Sequence, residues 1–383
     1  MKRPFLFFIA VLIVAGFGMS AKASAQVHEL NFEKALEQQS FPHTVTPGDY
    51  SGISMIDESH YAVVSDKSAG DGFFIFEIKL DKKSGKILSA SNSSADGTGV
   101  SFFSAGGNVN RDAEGIVYVP SLKTVFISGE ADKAVYEYDM KGARTGRSFN
   151  IPTVFSGASS NSGFESLAYN ANTHRFWTTT ESTIPSDGAQ ATATNGVQNV
   201  LRFQSFDENL QPVAQYVYKM DAPSAAALET ENKAAANMPY AMGVSELLAL
   251  DDGSMIVLER EFYIPSGIMG ARVVCKLYLV NPADCKPIAA AYSSADSASV
   301  GSSVDISQFS AAIPANAPVL SKRLLYQFTT AIKSLNDFKI ANYEGMCLGP
   351  VLSNGNQTVI LISDSQSGYK GFLQDWFKVL EIK

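Results

Sequence analysis

The fold is best indicated by two neighbouring segments, Asp112–Tyr118 (DAEGIVY) and Val125–Glu130 (VFISGE), which a short turn separates. Both are brief apolar runs rich in residues that favour strands, and the residues between them favour a turn. The pair therefore predicts two adjacent antiparallel strands. One carboxylate, Glu114, stands near the beginning of the first strand, and another, Glu130, stands at the end of the second.

The same pattern of strand, turn and strand occurs at four other places in the chain. The other pairs are Ser51–Ile56 with Tyr61–Asp66, Gly163–Ala168 with Phe176–Glu181, Val244–Leu250 with Met255–Glu259, and Tyr343–Leu348 with Val359–Asp364. Further strand-like runs follow the pairs, at Phe73–Leu80, Val135–Asp139, Val200–Phe206, Pro212–Lys219, Val273–Val280 and Lys322–Phe328. A recurring unit of four antiparallel strands is typical of a propeller blade.

These repeats predict an all-β chain that forms a single β-propeller, with five blades counted and a sixth possible. The last unit lacks a strand, so we expect Phe377–Lys383 to form its third strand and Val27–Phe32 its fourth. Insertions are expected near 221–243, where an Ala-rich stretch predicts a helix, and near 283–318, where a Ser-rich stretch predicts a loop. An open β-sandwich is the alternative, although a sandwich does not require recurring strand pairs.

The termini and the charge balance restrict the classes of partner. The 383 residues include 30 Lys and Arg against 38 Asp and Glu, and no basic run stands out, which disfavours a nucleic-acid partner.

Residues 1–25 combine Lys2 and Arg3, an apolar run Phe5–Phe17 and the small residues Ala23-Ser24-Ala25. This pattern predicts a signal peptide that is removed before Gln26, with export to the periplasm or beyond. A retained membrane anchor is the alternative, but the apolar run is short for a bilayer, and no later stretch is long enough to span one.

Three cysteines allow one disulfide. Cys275 and Cys285 lie ten residues apart around a turn signal, and in an oxidising compartment they could close a small loop. Two free thiols are the alternative, because an extended strand would hold them too far apart to bond. Cys347 lies in an apolar stretch and is expected to be a buried hydrophobic residue.

The recurring carboxylates are the candidate functional residues. If the repeats are aligned on Glu114, Glu165, Glu246 and Glu344, these four side chains stand near the start of innermost strands. A second set stands at the far end of the next strands and comprises Asp66, Glu130, Glu181, Glu259 and Asp364. Antiparallel pairing brings both sets to one rim of the channel, where converging carboxylates repel each other or recruit a cation. Oxygen ligands favour calcium or magnesium, with calcium the favoured ion here. The alternative is that each Glu only binds backbone amides of its own blade.

Basic residues adjoin these positions. Lys67, Arg111 and Arg260 are the candidates for binding an anionic group such as phosphate beside the metal. Lys133 and Lys370 adjoin the same positions, but ordinary surface ion pairs are at least as good an interpretation for them. None of the four histidines accompanies a Gly-x-Ser-x-Gly elbow, so a metal-activated water is favoured over a Ser-His triad for any hydrolysis.

The strings that carry these residues resemble a known family, the phytase-like β-propeller domain of exported bacterial proteins, described as having esterase-like activity. The matching strings are GIS at Gly52–Ser54, VSD at Val64–Asp66, RDAEGI at Arg111–Ile116, GFESLA at Gly163–Ala168, SELLALDDG at Ser245–Gly253, LERE at Leu258–Glu261, YEGMCLGP at Tyr343–Pro350 and ISD at Ile362–Asp364. The resemblance covers about residues 48–383 and implies a propeller fold and the hydrolysis of phosphate or other esters.

Two functions follow as hypotheses. The first is a metal-dependent phosphoesterase or esterase, in which Glu114, Glu165, Glu246 and Glu344 surround a cation, together with Asp66 and Asp364. Arg111, Arg260 and Lys67 then bind the anion of a small ester or phosphate ligand. The second is a propeller that captures a ligand or a partner protein at the same rim without catalysis. The sequence indicates no oligomeric state.

Overall fold

The predicted strand pairs are formed, and they build a ring. The computed structural model of the protein describes residues 30–95, 97, 99–106, 109–159, 163–224, 239–265, 268–289, 312–334 and 337–383. The strands are β1 Phe32–Ala35, β2 Tyr50–Met55, β3 His60–Ser65, β4 Phe73–Leu80, β5 Ile87–Ser91, β6 Phe102–Phe103, β7 Ala113–Val119, β8 Thr124–Gly129, β9 Ala134–Asp139, β10 Arg144–Ser148, β11 Ala168–Asn170, β12 Arg175–Thr178, β13 Val200–Phe206, β14 Pro212–Lys219, β15 Tyr240–Ala249, β16 Met255–Tyr263, β17 Arg272–Val280, β18 Lys322–Ser334, β19 Asp337–Phe338, β20 Asn342–Val351, β21 Gln357–Asp364 and β22 Phe377–Ile382. Short 3-10 helices cover Thr153–Gly157, Pro282–Asp284 and Gln366–Gly371.

Five antiparallel sheets form the blades. Counted outward from the innermost strand, blade 1 is β2 to β5 with β6 added to β4, blade 2 is β7 to β10, and blade 3 is β11 to β14. Blade 4 is β15 to β18, extended by β19, and blade 5 is β20, β21, β22 and β1. The innermost strands contact one another in the order β2, β7, β11, β15 and β20, and β20 returns to β2. The protein is thus a five-bladed β-propeller, and the described residues form neither a sixth blade nor an open sandwich.

The two ends of the described chain share blade 5, as predicted. Strand β22 pairs with β21 on one side and with β1 on the other, where Phe32 lies opposite Ile382. The described closing strand covers Phe32–Ala35, so it extends beyond the predicted Val27–Phe32 at its C-terminal end, whereas residues 27–29 of that prediction lie outside the described residues.

Blade 3 also differs in its bounds. Its innermost strand starts at Ala168, where the predicted strand ends, and the residues before it are joined to the blade by an isolated bridge between Phe164 and Thr180. The inner part of blade 3 is therefore held by fewer backbone pairs than the corresponding part of the other blades.

Apolar side chains fill the spaces between neighbouring blades. Between blades 2 and 3, for example, the ring of Phe149 lies 5.7 Å from that of Phe126, 5.1 Å from that of Phe176 and 4.6 Å from that of Phe206, measured between centroids. Such aromatic packing between sheets explains why a chain with only 2 Trp contains 24 Phe.

Close contact between innermost strands explains the glycine of the recurring Glu-Gly pair. A Cβ atom at Gly52, Gly115 or Gly345 would overlap backbone atoms of the neighbouring innermost strand. Only a residue without a side chain lets the strands approach this closely around a narrow channel. The glycine in the repeat is thus a packing requirement.

Several predictions fall on other parts of the chain. The predicted signal peptide, the helix expected over 225–238 and most of the loop expected near 283–318 lie outside the described residues. Strand β15 begins at Tyr240, so the end of the insertion expected over 221–243 belongs to blade 4. Residues Asn31–Lys383 cluster as one unit. Among the described residues, no helix is long and apolar enough to cross a membrane.

The expected disulfide is not formed. Cys275 lies buried in the middle of β17, whereas Cys285 follows the helix Pro282–Asp284, and both are free thiols, as is the buried Cys347. The five strand residues after Cys275 carry the chain about 16 Å along the blade. The turn beyond them leads toward blade 3, where the amide of Ile288 donates to the carbonyl of Gln215. The alternative of two separated thiols is the correct one.

Candidate functional site

A β-bulge recurs at the start of the innermost strands. The pairing of the innermost strand with the next one shifts at the same place in blades 1, 2, 4 and 5. In blades 2 and 5 the irregular position holds Glu114 and Glu344, which both line the same pocket. A bulge changes the direction of one side chain in an otherwise regular strand. The bulge therefore turns these carboxylates toward a common centre.

The register of blade 4 corrects the predicted alignment. Val244 pairs with Glu259 and Glu246 pairs with Leu258, so the residue at the bulge is Ser245. Ser245 is thus the counterpart of Glu114 and Glu344, and Glu246 takes the place that glycine holds in blades 1, 2 and 5. On the second strand the shift makes Arg260, not Glu259, the counterpart of the terminal carboxylates.

The side chains at these positions form a pocket of about 360 Å³ at one end of the channel, which we call the acidic pocket. Seven carboxylates and two cations line it, namely Asp66, Asp112, Glu114, Glu130, Glu165, Glu181 and Glu344 with Lys67 and Arg260. Asp364 is fully buried beside it and faces Asp66. The rim predicted from the sequence is formed by most of the predicted residues, with Glu246, Glu259 and Arg111 placed elsewhere.

Arg260 lies among the carboxylates of the acidic pocket. Its Nη2 atom lies 2.5 Å from an oxygen of Glu181 and 3.8 Å from Glu165, and its Nη1 atom lies 3.3 Å from Glu344. Nη1 also donates to the side-chain oxygen of Asn342 at 3.0 Å. Burial opposes the charge of Arg260, but Glu344, Glu181 and Glu165 together raise its pKa. Arg260 of blade 4 is therefore a buried counterion for carboxylates of blades 3 and 5.

One cation does not neutralise the acidic pocket. Burial, together with the neighbouring carboxylates, raises the pKa values of Glu114, Glu165 and Glu344 well above their usual range. Burial and the charge of Glu181 raise the pKa of Glu130 to about 8. Burial and the charge of Asp66 raise the pKa of Asp364 to about 7. At neutral pH part of this set holds protons unless a bound cation replaces them.

The raised pKa values predict that stability falls as the pH rises when no divalent cation is present. Between the ordinary value of 4.5 and about 8, Glu130 is ionised in the unfolded chain but protonated in the folded protein, and Asp364 behaves alike between 3.8 and about 7. The folded state then binds more protons, so the free energy of unfolding decreases with pH through this window. Melting temperatures recorded in chelator from pH 4.5 to 8 should fall by several degrees. Calcium should reduce the fall, and a midpoint that rises with pH would contradict this account.

Three groups of carboxylates have oxygen atoms close enough to hold a cation. In each group the ligand atoms lie within 4.8 Å of one another, and the groups are Asp49 with Asp66 and Asp364, Asp66 with Asp112 and Glu114, and Glu130 with Glu165 and Glu181. Asp66 belongs to two of them. Its Oδ1 atom is buried and has no hydrogen-bond partner among the described residues. A buried acceptor without a donor is costly, and a hard cation would satisfy it, so the residues fit calcium or magnesium.

The predicted anion-binding residues occupy different environments. Lys67 is exposed at the edge of the acidic pocket, where its Nζ atom lies 2.5 Å from Asp66 and 3.2 Å from Asp112. Arg111 does not line the pocket, because its guanidinium turns into blade 2. There it donates to Asp132 at 2.6 and 2.9 Å and to the hydroxyl of Tyr138 at 3.1 Å. Arg111 thus fixes the β8–β9 hairpin instead of facing a ligand.

Glu246 and Glu259 do not line the acidic pocket, and their side chains form hydrogen bonds within the blades and between them. The side chain of Glu246 is buried in the channel and accepts from the amides of Leu167 at 3.2 Å and Leu247 at 3.0 Å. Burial raises its pKa, and those amides oppose the shift. Glu259 accepts from the hydroxyl of Tyr218 at 2.7 Å and from Lys322 at 2.6 Å. Glu246 therefore binds backbone amides, which is the alternative to cation binding that the sequence left open for these glutamates.

Three residues of the site were not singled out from the sequence, namely Asp49, Asp112 and Asn342. Asp49 precedes β2 at the repeat position that Asp112 holds before β7, and the irregular backbone there has a φ of 28°. Asn342 holds the same position in blade 5, opposite Asp364. Extending the repeat alignment by two residues toward the N-terminus would have identified all three.

The arrangement of strands and carboxylates can be compared with known proteins. The chain matches the family described as Phytase-like, esterase-like activity of phytase, over residues 46–366. The chain belongs to the Phytase-like family. The match includes all five innermost strands completely and contains every residue of the acidic pocket, and it confirms the resemblance noted in the sequence. No curated protein matches the chain.

Solved propeller structures resemble this Phytase-like chain only distantly. They include a streptogramin B lyase, with 10% identity, coverage of 91% of this chain and 98% of that chain, and a TM-score of 0.32. An endo-arabinase from Bacteroides thetaiotaomicron has 11% identity, coverage of 90% and 98%, and a TM-score of 0.37. The PQQ-bound form of aldose sugar dehydrogenase from Streptomyces coelicolor has 9% identity, coverage of 92% and 98%, and a TM-score of 0.35. Likeness at this level has no bearing on the activity of this chain.

Proposed function

We propose that this Phytase-like propeller holds a divalent cation, calcium by preference, in the acidic pocket and hydrolyses phosphate or carboxylate esters there. The observation that carries the proposal is Asp66, whose buried Oδ1 atom lacks a hydrogen-bond partner among the described residues. The same side chain belongs to two overlapping groups of carboxylates, so it is the residue on which cation binding depends most. Export of the protein remains a prediction from residues 1–25.

A bound cation supplies positive charge that polarises the ester or phosphoryl oxygen. Asp66 would hold it with Asp49 and Asp364 on one side and with Asp112 and Glu114 on the other. Lys67 is exposed at the edge of this set and would attract an anionic ester toward it. Arg260 keeps Glu165, Glu181 and Glu344 in place by binding all three.

Proton transfer would fall to Glu130. Because burial and Glu181 raise its pKa to about 8, this carboxyl carries a proton at neutral pH while remaining part of the pocket wall. A protonated carboxyl beside the reacting ester can donate to the oxygen of the leaving alcohol, and the resulting carboxylate can later accept a proton from water. A pKa near the working pH suits both steps.

One observation favours capture without hydrolysis. Both Nη atoms of Arg260 are engaged by carboxylates and by Asn342, and the Nζ atom of Lys67 lies between two carboxylates. Cations held in this way contribute less to binding a phosphate than unpaired ones would. The second candidate function is therefore a propeller that binds a ligand or partner protein through the cation alone.

The test combines turnover with stability. Hydrolysis of 4-nitrophenyl phosphate and 4-nitrophenyl acetate should require calcium and should stop in chelator. Asp66→Asn should lower the rate at least a hundredfold, because it weakens two groups of ligands at once. Calcium at 100 times its dissociation constant stabilises a protein by about 2.7 kcal/mol, which for a chain of this length raises the melting temperature by a few degrees at most. Asp66→Asn should abolish that rise.

The matched control is Glu58→Gln, since Glu58 is an exposed carboxylate in the turn between β2 and β3, away from the pocket. This variant should keep both the activity and the calcium response. Calcium stabilisation without hydrolysis of either ester would favour the binding function. The absence of both effects in the wild-type protein would show that the carboxylates serve the fold only.

A further inference from the structure

A second cavity, of about 660 Å³, lies between the segment that leads into blade 1 and the loop that follows β21. Its walls are largely apolar and include Phe41, Pro42, Val45, Pro47 and Leu373. Carboxylates from both segments, Asp49 and Asp375, complete the lining, and among the side chains that the structure describes no lysine or arginine lines the cavity. A cavity of several hundred Å³ with apolar walls and a few polar groups is typical of a small-molecule site.

The two carboxylates of this cavity differ in their hydrogen-bond partners. Asp49 accepts from the hydroxyls of Ser365 and Ser367, each at 2.8 Å, and from the amide of Ser367. Asp375 accepts through Oδ2 from the amide of Gly48 at 3.3 Å, whereas its Oδ1 atom is buried and has no hydrogen-bond partner among the described residues. Burial is the largest cause of a pKa of about 7 for Asp375. Of the two carboxylates that line the cavity, Asp375 is therefore the one with fewer hydrogen-bond donors around it.

We propose that this cavity binds a small organic cation, with its ammonium group against Asp375 and its apolar or aromatic body against Phe41, Val45 and Leu373. An ammonium group has three donors and a positive charge, so it can donate a charge-assisted hydrogen bond to the carboxylate of Asp375, which lines the cavity. The apolar walls bury the rest of the ligand, which a hydrated metal ion would leave uncovered. Charge and shape thus select the same class of ligand.

The cavity adjoins the acidic pocket through Asp49, whose carboxylate also lies within 4.8 Å of those of Asp66 and Asp364. The ammonium site at Asp375 is nevertheless separate from the cation site at Asp66, because Asp375 belongs to none of the three carboxylate groups found among the described residues. The proposal therefore does not depend on ester hydrolysis and can be tested without it.

The test is calorimetric titration of the full-length protein with two probes of matched shape, 2-phenylethylammonium and the neutral 2-phenylethanol. The ammonium probe should bind at least tenfold more tightly than the alcohol to the wild-type protein. Asp375→Asn should remove most of that difference, since an amide retains the shape but not the charge. The titrations should agree in calcium and in chelator, because the probe and the metal occupy different carboxylates.

The control is Asp57→Asn, which removes an exposed carboxylate in the turn between β2 and β3 and should leave both affinities unchanged. Equal affinity for the two probes, or no binding of either at millimolar concentration, would overturn the proposal, and both results come from the wild-type protein alone. Ammonium binding that calcium abolishes would place the probe at Asp66 and would overturn it as well.

Discussion

A chain that ends at Trp376 should not unfold cooperatively. It lacks β22, which lies inside blade 5 with β21 paired along one edge and β1 along the other. Phe377, Val379 and Leu380 are almost completely buried in that strand. Without it, β21 exposes a full row of backbone donors and acceptors, and β1 loses its only sheet partner among the described strands. The apolar packing between blades 5 and 1 also loses Phe377 and Val379, which belong to the same buried cluster as Tyr50 and Phe76 of blade 1.

The measurement is thermal unfolding followed by circular dichroism and calorimetry, together with limited proteolysis. The truncated chain should show no sharp transition and should be cleaved rapidly. A chain that lacks only the exposed Lys383 keeps β22 intact and should melt like the full-length protein. Cooperative melting of the chain ending at Trp376, within a few degrees of the full-length protein, would contradict closure by the terminal strands.

The second large effect is expected for Arg260→Met. Methionine fills a similar volume but leaves Glu165, Glu181 and Glu344 without their shared counterion. Removing one partner of a buried ion pair costs about 3–5 kcal/mol, because the remaining charge stays buried. We expect a loss of this size in the free energy of unfolding at pH 8. The loss should shrink at pH 5, where those carboxyls can take up protons instead.

The stabilisation by calcium provides a second measurement on Arg260→Met, in which we expect a larger effect than in the wild-type protein. With Arg260 gone, the acidic pocket is more negative, so calcium should stabilise the variant by more than it stabilises the wild-type protein. Arg323→Met removes an exposed arginine from β18, outside the acidic pocket, and serves as the control for the loss of one positive charge. Equal destabilisation by the two substitutions at pH 8, or a weaker calcium response in Arg260→Met, would show that Arg260 does not neutralise the pocket.

Much of the fold was predictable because the same sequence pattern occurs once in each blade of a propeller. Each blade carries its own apolar strand pair with turn residues between, and the five copies reinforce one another even where a single copy, such as blade 3, is weak. The glycine of the Glu-Gly pair was visible in the sequence, and its reason is the close approach of neighbouring innermost strands. The missing strand of the last unit also indicated correctly that the ring closes through blade 5.

The acidic rim was predictable for the same reason. Carboxylates at the start of one strand and at the end of the next must meet when the strands are antiparallel. Asp66, Glu114, Glu130, Glu165, Glu181 and Glu344 accordingly line one pocket. Their recurrence at fixed repeat positions was sufficient to place them together without any knowledge of the distances.

Only the tertiary structure decided which side chains of blade 4 enter that pocket. The bulge at Ser245 shifts the pairing by one residue, which sends Glu246 into the channel and puts Arg260 in the place of a carboxylate. Successive side chains of a strand point to opposite faces, so a shift of one residue reverses every assignment along it. The position of a bulge depends on how a strand fits its neighbours, and a single segment of sequence does not contain that information. The sequence by itself determined the blades and the acidic rim, whereas the register between strands determined which charges meet there.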